Sequence, residues 1–129
     1  GAAERNEVLA PQLITSWGHG TRAHIAGNPT PGLWMRSGCQ ALLERANDGV
    51  IFNDLAACNA YEAGDVAARI ACPITVVVGS EDKMTPPRAT SQLVAGLSDV
   101  DLKHLDGVGH MMMIEVPDRI RELLLDALH

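Results

Sequence analysis

The residues with the clearest chemical potential are an aspartate and a histidine in two separate short stretches. Asp82 lies in GSEDKMT, and His110 lies in GVGHMMMIE. A neutral imidazole can take a proton from a hydroxyl group and later return it to a leaving group. A carboxylate bonded to the other ring nitrogen fixes the tautomer and stabilises the imidazolium that forms. Asp82 and His110 are therefore a candidate orienting acid and general base, provided that the fold brings them together.

Strand patterns precede both stretches and indicate how they could meet. Residues 74–78, ITVVV, are all β-branched and do not alternate in polarity, which predicts a parallel strand covered on both faces. Residues 100–105, VDLKHL, alternate weakly, as in a second strand nearer the sheet edge. A helix between two strands makes a right-handed crossover and leaves both carboxyl ends at one rim. We expect Asp82 and His110 to meet at that rim.

Helical patterns fill the rest of this part of the chain. Thr85 can cap a helix, and Pro86 can occupy its first position. Helical spacing predicts that this helix buries one stripe, formed by Ala89, Leu93, Val94 and Leu97. Pro117 opens the last helix, whose inward side is predicted to be Ile120, Leu123, Leu124 and Ala127.

The part before residue 72 contains helix patterns and loops without a convincing strand. A helix is predicted over residues 3–16 and an irregular glycine- and proline-rich connection over 17–32. Met35 begins a further helical pattern, and a short amphipathic helix follows, with one side formed by Phe52, Leu55, Ala56 and Asn59. The two tryptophans of the chain, Trp17 and Trp34, are predicted to be buried anchors.

Composition excludes several classes of partner. A formal charge of -6 and a pI of about 5.2 argue against binding to nucleic acid or an anionic membrane. No apolar run approaches the roughly twenty residues that span a bilayer, so no membrane association is expected. The three cysteines form no C-x-x-C pair, which favours reduced thiols and a cytoplasmic location. The N-terminus lacks a secretion signal, and Gly1 in place of Met suggests an expression scar or a start inside a larger chain.

Other polar residues near the histidine allow competing interpretations. Glu81 is a rival acid that is expected to point elsewhere, and Asp106 and Glu115 are expected to be solvated or capping groups. A loop histidine is also more often a plain surface residue. A metal site is a further alternative, although five-residue spacing in a glycine-rich loop is a weak signal; its ligands would come from a cysteine and His19, His24, His104 or His110. No cofactor or metal is expected.

A family resemblance reinforces the acid–base interpretation. CPITVVVGSEDKMTPP followed by LKHLDGVGHMMMIEVPDRIRELLLDAL resembles the C-terminal end of the α/β-hydrolase superfamily. In that family a late strand ends in Gly, two variable residues and Asp. The next strand leads into a small-residue turn with the catalytic His, then a helix begun by proline. The resemblance covers residues 72–129 strongly and residues 31–71 more softly.

The resemblance implies both an α/β fold and a function. It implies the C-terminal part of an α/β-hydrolase fold, with two parallel strands and flanking helices over residues 72–129. Residues 1–71 would form a helical cap-derived and connecting region. Asp82 would be the triad acid and His110 the triad base of an esterase- or lactonase-like enzyme. Its substrate would be a small ester or lactone, although the same framework serves peroxidase-like, dehalogenase and C–C bond hydrolases.

The nucleophile that this family places at a G-x-S-x-G elbow is missing from the sequence. None of the serines or cysteines lies on a strand-to-helix elbow; they are Ser16, Ser37, Ser80, Ser91, Ser98, Cys39, Cys58 and Cys72. The chain is therefore expected to contribute an acid and a base and to be inactive alone. The alternative is a non-catalytic binding or assembly module derived from the hydrolase fold. Because the strand at 74–78 shows only one partner strand, self-association through its unpaired edge is also expected.

Overall fold

The structure, a computed structural model, describes residues 9–25, 34–62 and 64–128. Its first elements are four helices and a 3₁₀ turn: α1 (Leu9–Gly18), α2 (Thr21–His24), α3 (Met35–Glu44), α4 (Val50–Ala60) and the turn Gly64–Arg69. The remaining elements are β1 (Ile74–Gly79), α5 (Pro87–Ala95), β2 (Val100–Leu105), α6 (Met112–Glu115) and α7 (Pro117–Ala127). In this described part of the chain, no helix is long and apolar enough to cross a bilayer.

The predicted first helix and the irregular connection after it have different bounds in the structure. Residues 3–8 of the predicted first helix lie outside the described residues, and α1 continues to Gly18. The segment predicted as irregular, 17–32, contains the end of α1 and the single turn of α2, whereas residues 26–32 are not described. Gly20, directly before α2, has an extended backbone, and a Cβ at this position would lie 2.6 Å from the Gly107 carbonyl oxygen.

The predicted parallel pairing of the two strands is confirmed. β1 pairs with β2 in a register that runs from Ile74 opposite Val100 to Gly79 opposite Leu105. The Ile74 N–H donates to the carbonyl of Asp99 at 3.1 Å, and the Ser80 N–H donates to the carbonyl of Leu105 at 2.9 Å. Because both strands end at the same level, the loops that follow them leave the sheet at one rim.

A compact core lies beneath the loop after β2. Leu105, Val108 and Leu123 are buried together, and four half-buried residues pack against them: Val77, Met112, Val116 and Ile120. Leu123 and Ile120 thus lie on the inward face of α7, as predicted. Leu124 is 60% exposed, so the predicted inward face is too wide. The sheet against which α7 packs is two strands wide in this part of the chain. Only a narrow stripe of α7 is therefore buried.

Several other residues that the sequence predicts to be covered are exposed. Within β1 only Val78 and Gly79 are buried, and Thr75 is exposed. The prediction of a strand covered on both faces is therefore wrong for most of its length. Further large apolar side chains that were expected to be covered are exposed: Trp17, Trp34, Phe52, Leu55 and Leu93. Their apolar patterning is that of buried surface, yet the described residues leave them facing solvent.

The outer edge of β1 is open. Ile74 and Ser80 direct their N–H groups toward β2, and backbone groups alternate between the two edges of a strand. Thr75 and Val77 therefore direct theirs away from β2. In the residues that the structure describes, the sheet has two strands, and none pairs with this edge. An open, apolar strand edge of this kind is a template for pairing with another chain.

We expect the chain to self-associate through this edge, giving a light-scattering mass above the monomer mass of 13.7 kDa. Thr75→Pro is expected to restore the monomer, because it removes an outward N–H without removing a bond to β2. Thr75→Ala, which keeps the N–H, is the matched control and should stay associated. A monomeric mass for the unmodified chain contradicts this expectation.

Candidate functional site

The structure brings Asp82 and His110 into direct contact. Asp82 follows β1, His110 follows β2, and Oδ2 of the aspartate lies 2.9 Å from Nδ1 of the imidazole. The Asp82 side chain is 4% exposed, whereas the His110 side chain is 38% exposed. The acid is therefore enclosed by protein, and the imidazole it holds is open to an incoming molecule.

The Asp82 carboxylate accepts hydrogen bonds from its own loop as well. Oδ1 accepts the N–H groups of Met84 and Thr85, both at 2.8 Å, and Oδ2 accepts the Thr85 hydroxyl at 2.8 Å. Burial alone raises the pKa of the Asp82 carboxyl, but hydrogen bonds from Thr85 and His110 outweigh it and hold the pKa below its usual value. Asp82 is thus ionised throughout the neutral range and can orient a base.

The predicted role of Thr85 as a helix cap is wrong. α5 begins at Pro87, and its N-cap residue, Pro86, makes no side-chain cap hydrogen bond. The Thr85 hydroxyl instead bonds Asp82 and lies 3.2 Å from Nδ1 of His110. From its position in the sequence, Thr85 could cap the helix or hydrogen bond to Asp82. In the structure its hydroxyl bonds the Asp82 carboxylate.

Contacts around His110 select one tautomer. Nδ1 faces the ionised Asp82 carboxylate and therefore carries the proton. None of the described residues hydrogen bonds to Nε2, so its lone pair is free to accept a proton from a bound molecule. This is the tautomer that a general base needs when a carboxylate orients it.

Hydrogen bonds between the two loops fix the distance between acid and base. The Glu81 N–H donates to the carbonyl of Val108 at 2.9 Å, and the Gly107 N–H donates to the Ser80 hydroxyl at 2.8 Å. Gly79 allows this approach, because a Cβ at this position would lie 2.6 Å from the Gly109 carbonyl. Gly107 has φ of +69°, in the left-handed region that favours glycine.

Glu115 is a site residue that sequence reasoning missed. It was expected to be solvated or capping, but it is 6% exposed. Its Oε2 accepts the N–H of Gly20 at 3.0 Å, and its two oxygens accept the N–H of Gly109 at 3.1 and 3.2 Å. The carboxylate thereby fastens the residue before His110 to the start of α2. The sequence signals this role only weakly, because its partners are backbone groups of glycines.

The other acids near His110 point elsewhere. Glu81, the rival acid, accepts the hydroxyl of Thr21 at 2.7 Å and its N–H as well. These bonds, first that from the hydroxyl and then that from the N–H, lower the pKa of the Glu81 carboxyl. Asp106 is exposed and accepts a long hydrogen bond of 3.4 Å from the Ser80 hydroxyl. Asp82 is therefore the acid that faces the imidazole.

The serines and cysteines have other neighbours. The Ser80 hydroxyl bonds Gly107 and Asp106, and the Ser91 hydroxyl donates to the carbonyl of Pro87 at 3.0 Å. Cys58 and Cys72 are exposed free thiols, and Cys39 is half-buried. Burial raises the pKa of the Cys39 thiol. In the ranges that the structure covers, no serine or cysteine contacts the free nitrogen of His110.

The histidines of the alternative metal site are engaged elsewhere. His19 is 1% exposed and its Nδ1 donates to the carbonyl of Thr15 at 2.8 Å. His24 donates from Nε2 to the carbonyl of His19 at 3.2 Å, and His104 lies exposed on β2. Across residues 9–25, 34–62 and 64–128, no three His, Cys, Asp or Glu side chains gather where they could share a metal ion.

Comparison with solved structures identifies the fold. The chain is similar to MGS-M2, an α/β-hydrolase enzyme from a Medee basin deep-sea metagenome library, with a TM-score of 0.74 and 20% identity over 97% of this chain and 46% of that one. It is also similar to a thermophilic esterase from Thermogutta terrifontis, with a TM-score of 0.64 and 18% identity over 99% of this chain and 50% of that one. The chain thus has an α/β-hydrolase fold.

The extent of the match defines which part of the fold is present. The chain spans about half the length of each of these structures. Two parallel strands with flanking helices, preceded by helices, make up the C-terminal part of the α/β-hydrolase fold. No protein-family model matches the sequence, and no curated protein sequence matches it.

The bonds of Glu115 give a direct test of how the His110 loop is held. Glu115→Gln keeps the side-chain shape but turns one acceptor into a donor that faces a backbone N–H. We expect the free energy of unfolding in urea to fall by about 1–3 kcal/mol, the cost of a buried hydrogen bond left unmade. Glu122→Gln, which removes only the exposed ion pair with Arg119, should change it by less than about 1 kcal/mol. Equal losses in the two variants contradict the buried role of Glu115.

Proposed function

We propose that the chain supplies the acid and the base of a serine-type α/β-hydrolase active site. The single observation that carries this proposal is the 2.9 Å contact between Asp82 and His110 at the rim of two parallel strands. The fold supports it, because α/β sheets hold their ligands at the carboxyl ends of the strands. Residues 72–129 would form the core segment of the site, and residues 1–71 its cap-derived cover.

The geometry supports the following proton movements for an ester or lactone. A hydroxyl nucleophile attacks the carbonyl carbon while its proton passes to Nε2 of His110, and the carbonyl π electrons move onto oxygen. The Asp82 carboxylate stabilises the imidazolium through Nδ1. When the tetrahedral intermediate collapses, Nε2 returns the proton to the leaving alkoxide. In the second round, water attacks the acyl carbonyl carbon while its proton passes to Nε2; the bond between the acyl carbon and the nucleophile oxygen then breaks, and Nε2 returns the proton to that oxygen.

The nucleophile in this proposal comes from outside the chain. Among the described residues, the Thr85 hydroxyl lies within hydrogen-bonding distance of His110, but it is on the Nδ1 side and donates to Asp82. The thiols of Cys39, Cys58 and Cys72 do not contact Nε2 of His110. Because these thiols are free, they fit an enzyme of the reducing cytoplasm. The chain alone would therefore hold the general base of the site without the nucleophile that the base activates.

Labelling and slow ester cleavage by the chain alone test the proposal. A fluorophosphonate should add no mass, because no serine is activated. Activated p-nitrophenyl acetate should be cleaved slowly at Nε2 of His110, since an imidazole with a free nitrogen attacks activated esters directly. His110→Ala should lower this rate clearly more than His104→Ala, the control on an exposed strand histidine without a carboxylate partner.

Two outcomes would count against the proposal. A phosphonate adduct would show that the chain holds its own nucleophile. Equal cleavage by the His110→Ala and His104→Ala variants would show that Asp82 confers nothing on His110. With a stable self-associated form, the second outcome would favour the other candidate function, a binding or assembly module. The open edge of β1 is the observation that supports this module.

A further inference from the structure

A second imidazole and a thiol meet between α1 and α3, apart from the contact between Asp82 and His110. His19 directly follows α1 and is almost fully buried. Cys39 lies on α3, which packs against α1. Nε2 of His19 lies 3.8 Å from Sγ of Cys39, within reach of a hydrogen bond from the thiol. This pair has no part in the proposed hydrolase function.

The backbone of α1 fixes which ring nitrogen of His19 faces the thiol. Nδ1 lies 2.8 Å from the carbonyl oxygen of Thr15. A carbonyl oxygen can only accept, so Nδ1 carries the proton and, in the neutral ring, Nε2 presents its lone pair. Among the residues that the structure describes, the Cys39 thiol is the hydrogen-bonding partner of this buried lone pair. The imidazole is therefore held as a base for the thiol.

Cys39 needs such a base in order to react. Burial raises the pKa of its thiol, so little of the nucleophilic thiolate is present near neutral pH. A base within hydrogen-bonding reach can take the proton as the new bond to sulfur forms. Cys39, His19 and the Thr15 carbonyl thus have the arrangement of a nucleophile, a base and a group that orients the base.

A cavity of about 250 Å³ borders this pair. We call it the thiol cavity; Cys39, His19 and His110 line it together with apolar or thioether side chains, mainly Ile14, Leu42, Leu43, Met84 and Met111. Dry apolar cavities of about 150 Å³ hold benzene in proteins, so the thiol cavity has room for a small ring. A carboxylate entering it would lose its water against mostly apolar walls. Small, uncharged molecules are therefore the class that can reach Cys39 through this cavity.

We propose that Cys39 and His19 form a covalent modification site for small, uncharged α,β-unsaturated carbonyl compounds. Addition to such a compound has no leaving group, so a single base that takes a proton and gives it back is sufficient. The sulfur bonds to the β-carbon, the S–H bond breaks and its proton passes to Nε2 of His19, and the C=C electrons move toward the α-carbon and the carbonyl oxygen. Nε2 then returns the proton to the α-carbon, which leaves a neutral ring and a thioether.

The pH dependence of labelling by N-ethylmaleimide, an uncharged compound of this class, tests the proposal. The Cys58→Ser, Cys72→Ser chain reports on Cys39. The Cys39→Ser, Cys72→Ser chain reports on Cys58, an exposed thiol, and serves as the control. From about pH 8 to about pH 7 the rate at Cys58 should fall about tenfold, as its thiolate is lost. The rate at Cys39 should fall by less than about threefold, because His19 takes the proton during the addition.

A charged reagent tests the class of electrophile. 3-Maleimidopropionate carries the same reactive ring as N-ethylmaleimide and a carboxylate at the end of its side chain. Each rate at Cys39 is divided by the rate of the same reagent at Cys58, which removes differences in intrinsic reactivity. On this scale the charged reagent should be at least about tenfold slower, because its carboxylate must lose water in the thiol cavity.

A variant without the base completes the experiment. In the Cys58→Ser, Cys72→Ser background, His19→Gln should give Cys39 the steep pH dependence of an ordinary thiol. His104→Gln, which replaces an exposed strand histidine, should leave the shallow dependence unchanged. A tenfold fall at Cys39 with His19 in place overturns the proposal, as do a shallow dependence that persists in His19→Gln and equal relative rates for the two maleimides. If His19→Gln does not fold, the profiles of Cys39 and Cys58 decide.

Discussion

The parallel pairing of β1 with β2 is the constraint on which the rest of the site depends. The register ends with Gly79 opposite Leu105, and the acid and the base follow these positions in their respective loops. A slip of this register would separate the Asp82 carboxylate from Nδ1 of His110, because each residue along a strand advances about 3.3 Å. Strand geometry thus determines a hydrogen bond between side chains that are distant in sequence.

Backbone contacts at glycines then hold the site against the helices that precede the sheet. Gly20 and Gly109 pack so closely that a side chain at either position would collide with the backbone of the other loop. The Glu115 carboxylate accepts the N–H groups of both residues. A buried carboxylate without such donors would be strongly unfavourable. The glycines and Glu115 therefore depend on one another, and together they hold the start of α2 against the His110 loop.

Much of the fold and the central contact could be predicted from the sequence. The β-branched run at residues 74–78 and the crossover rule were sufficient to place Asp82 and His110 at one rim. Local patterns could not predict Glu115, whose partners are backbone N–H groups, one of them from Gly20 far away in the chain. The Thr85 cap was wrong because the Thr85 hydroxyl bonds the Asp82 carboxylate three residues earlier in the same loop, and α5 begins only at Pro87.

The mistakes about burial share one physical cause. Apolar periodicity indicates which face of a helix is suited to burial. It does not indicate whether the same segment of chain contains the residues that pack against this face. Phe52, Leu55 and Leu124 follow helical apolar patterns, yet they are exposed in the part of the chain that the structure describes. The chain spans about half of each similar hydrolase structure. Within the described residues, these faces therefore have no segment packed over them.

The orientation of His110 by Asp82 is the central claim, and the tautomer of its ring tests it most directly. Long-range ¹H–¹⁵N correlation spectra at a pH where the imidazole is neutral distinguish a proton on Nδ1 from one on Nε2. The account predicts the Nδ1–H tautomer in the unmodified chain and its loss in Asp82→Asn, whose side chain can donate to Nδ1 instead of accepting from it. An Nε2–H tautomer in the unmodified chain, or identical His110 spectra in the two proteins, would contradict it.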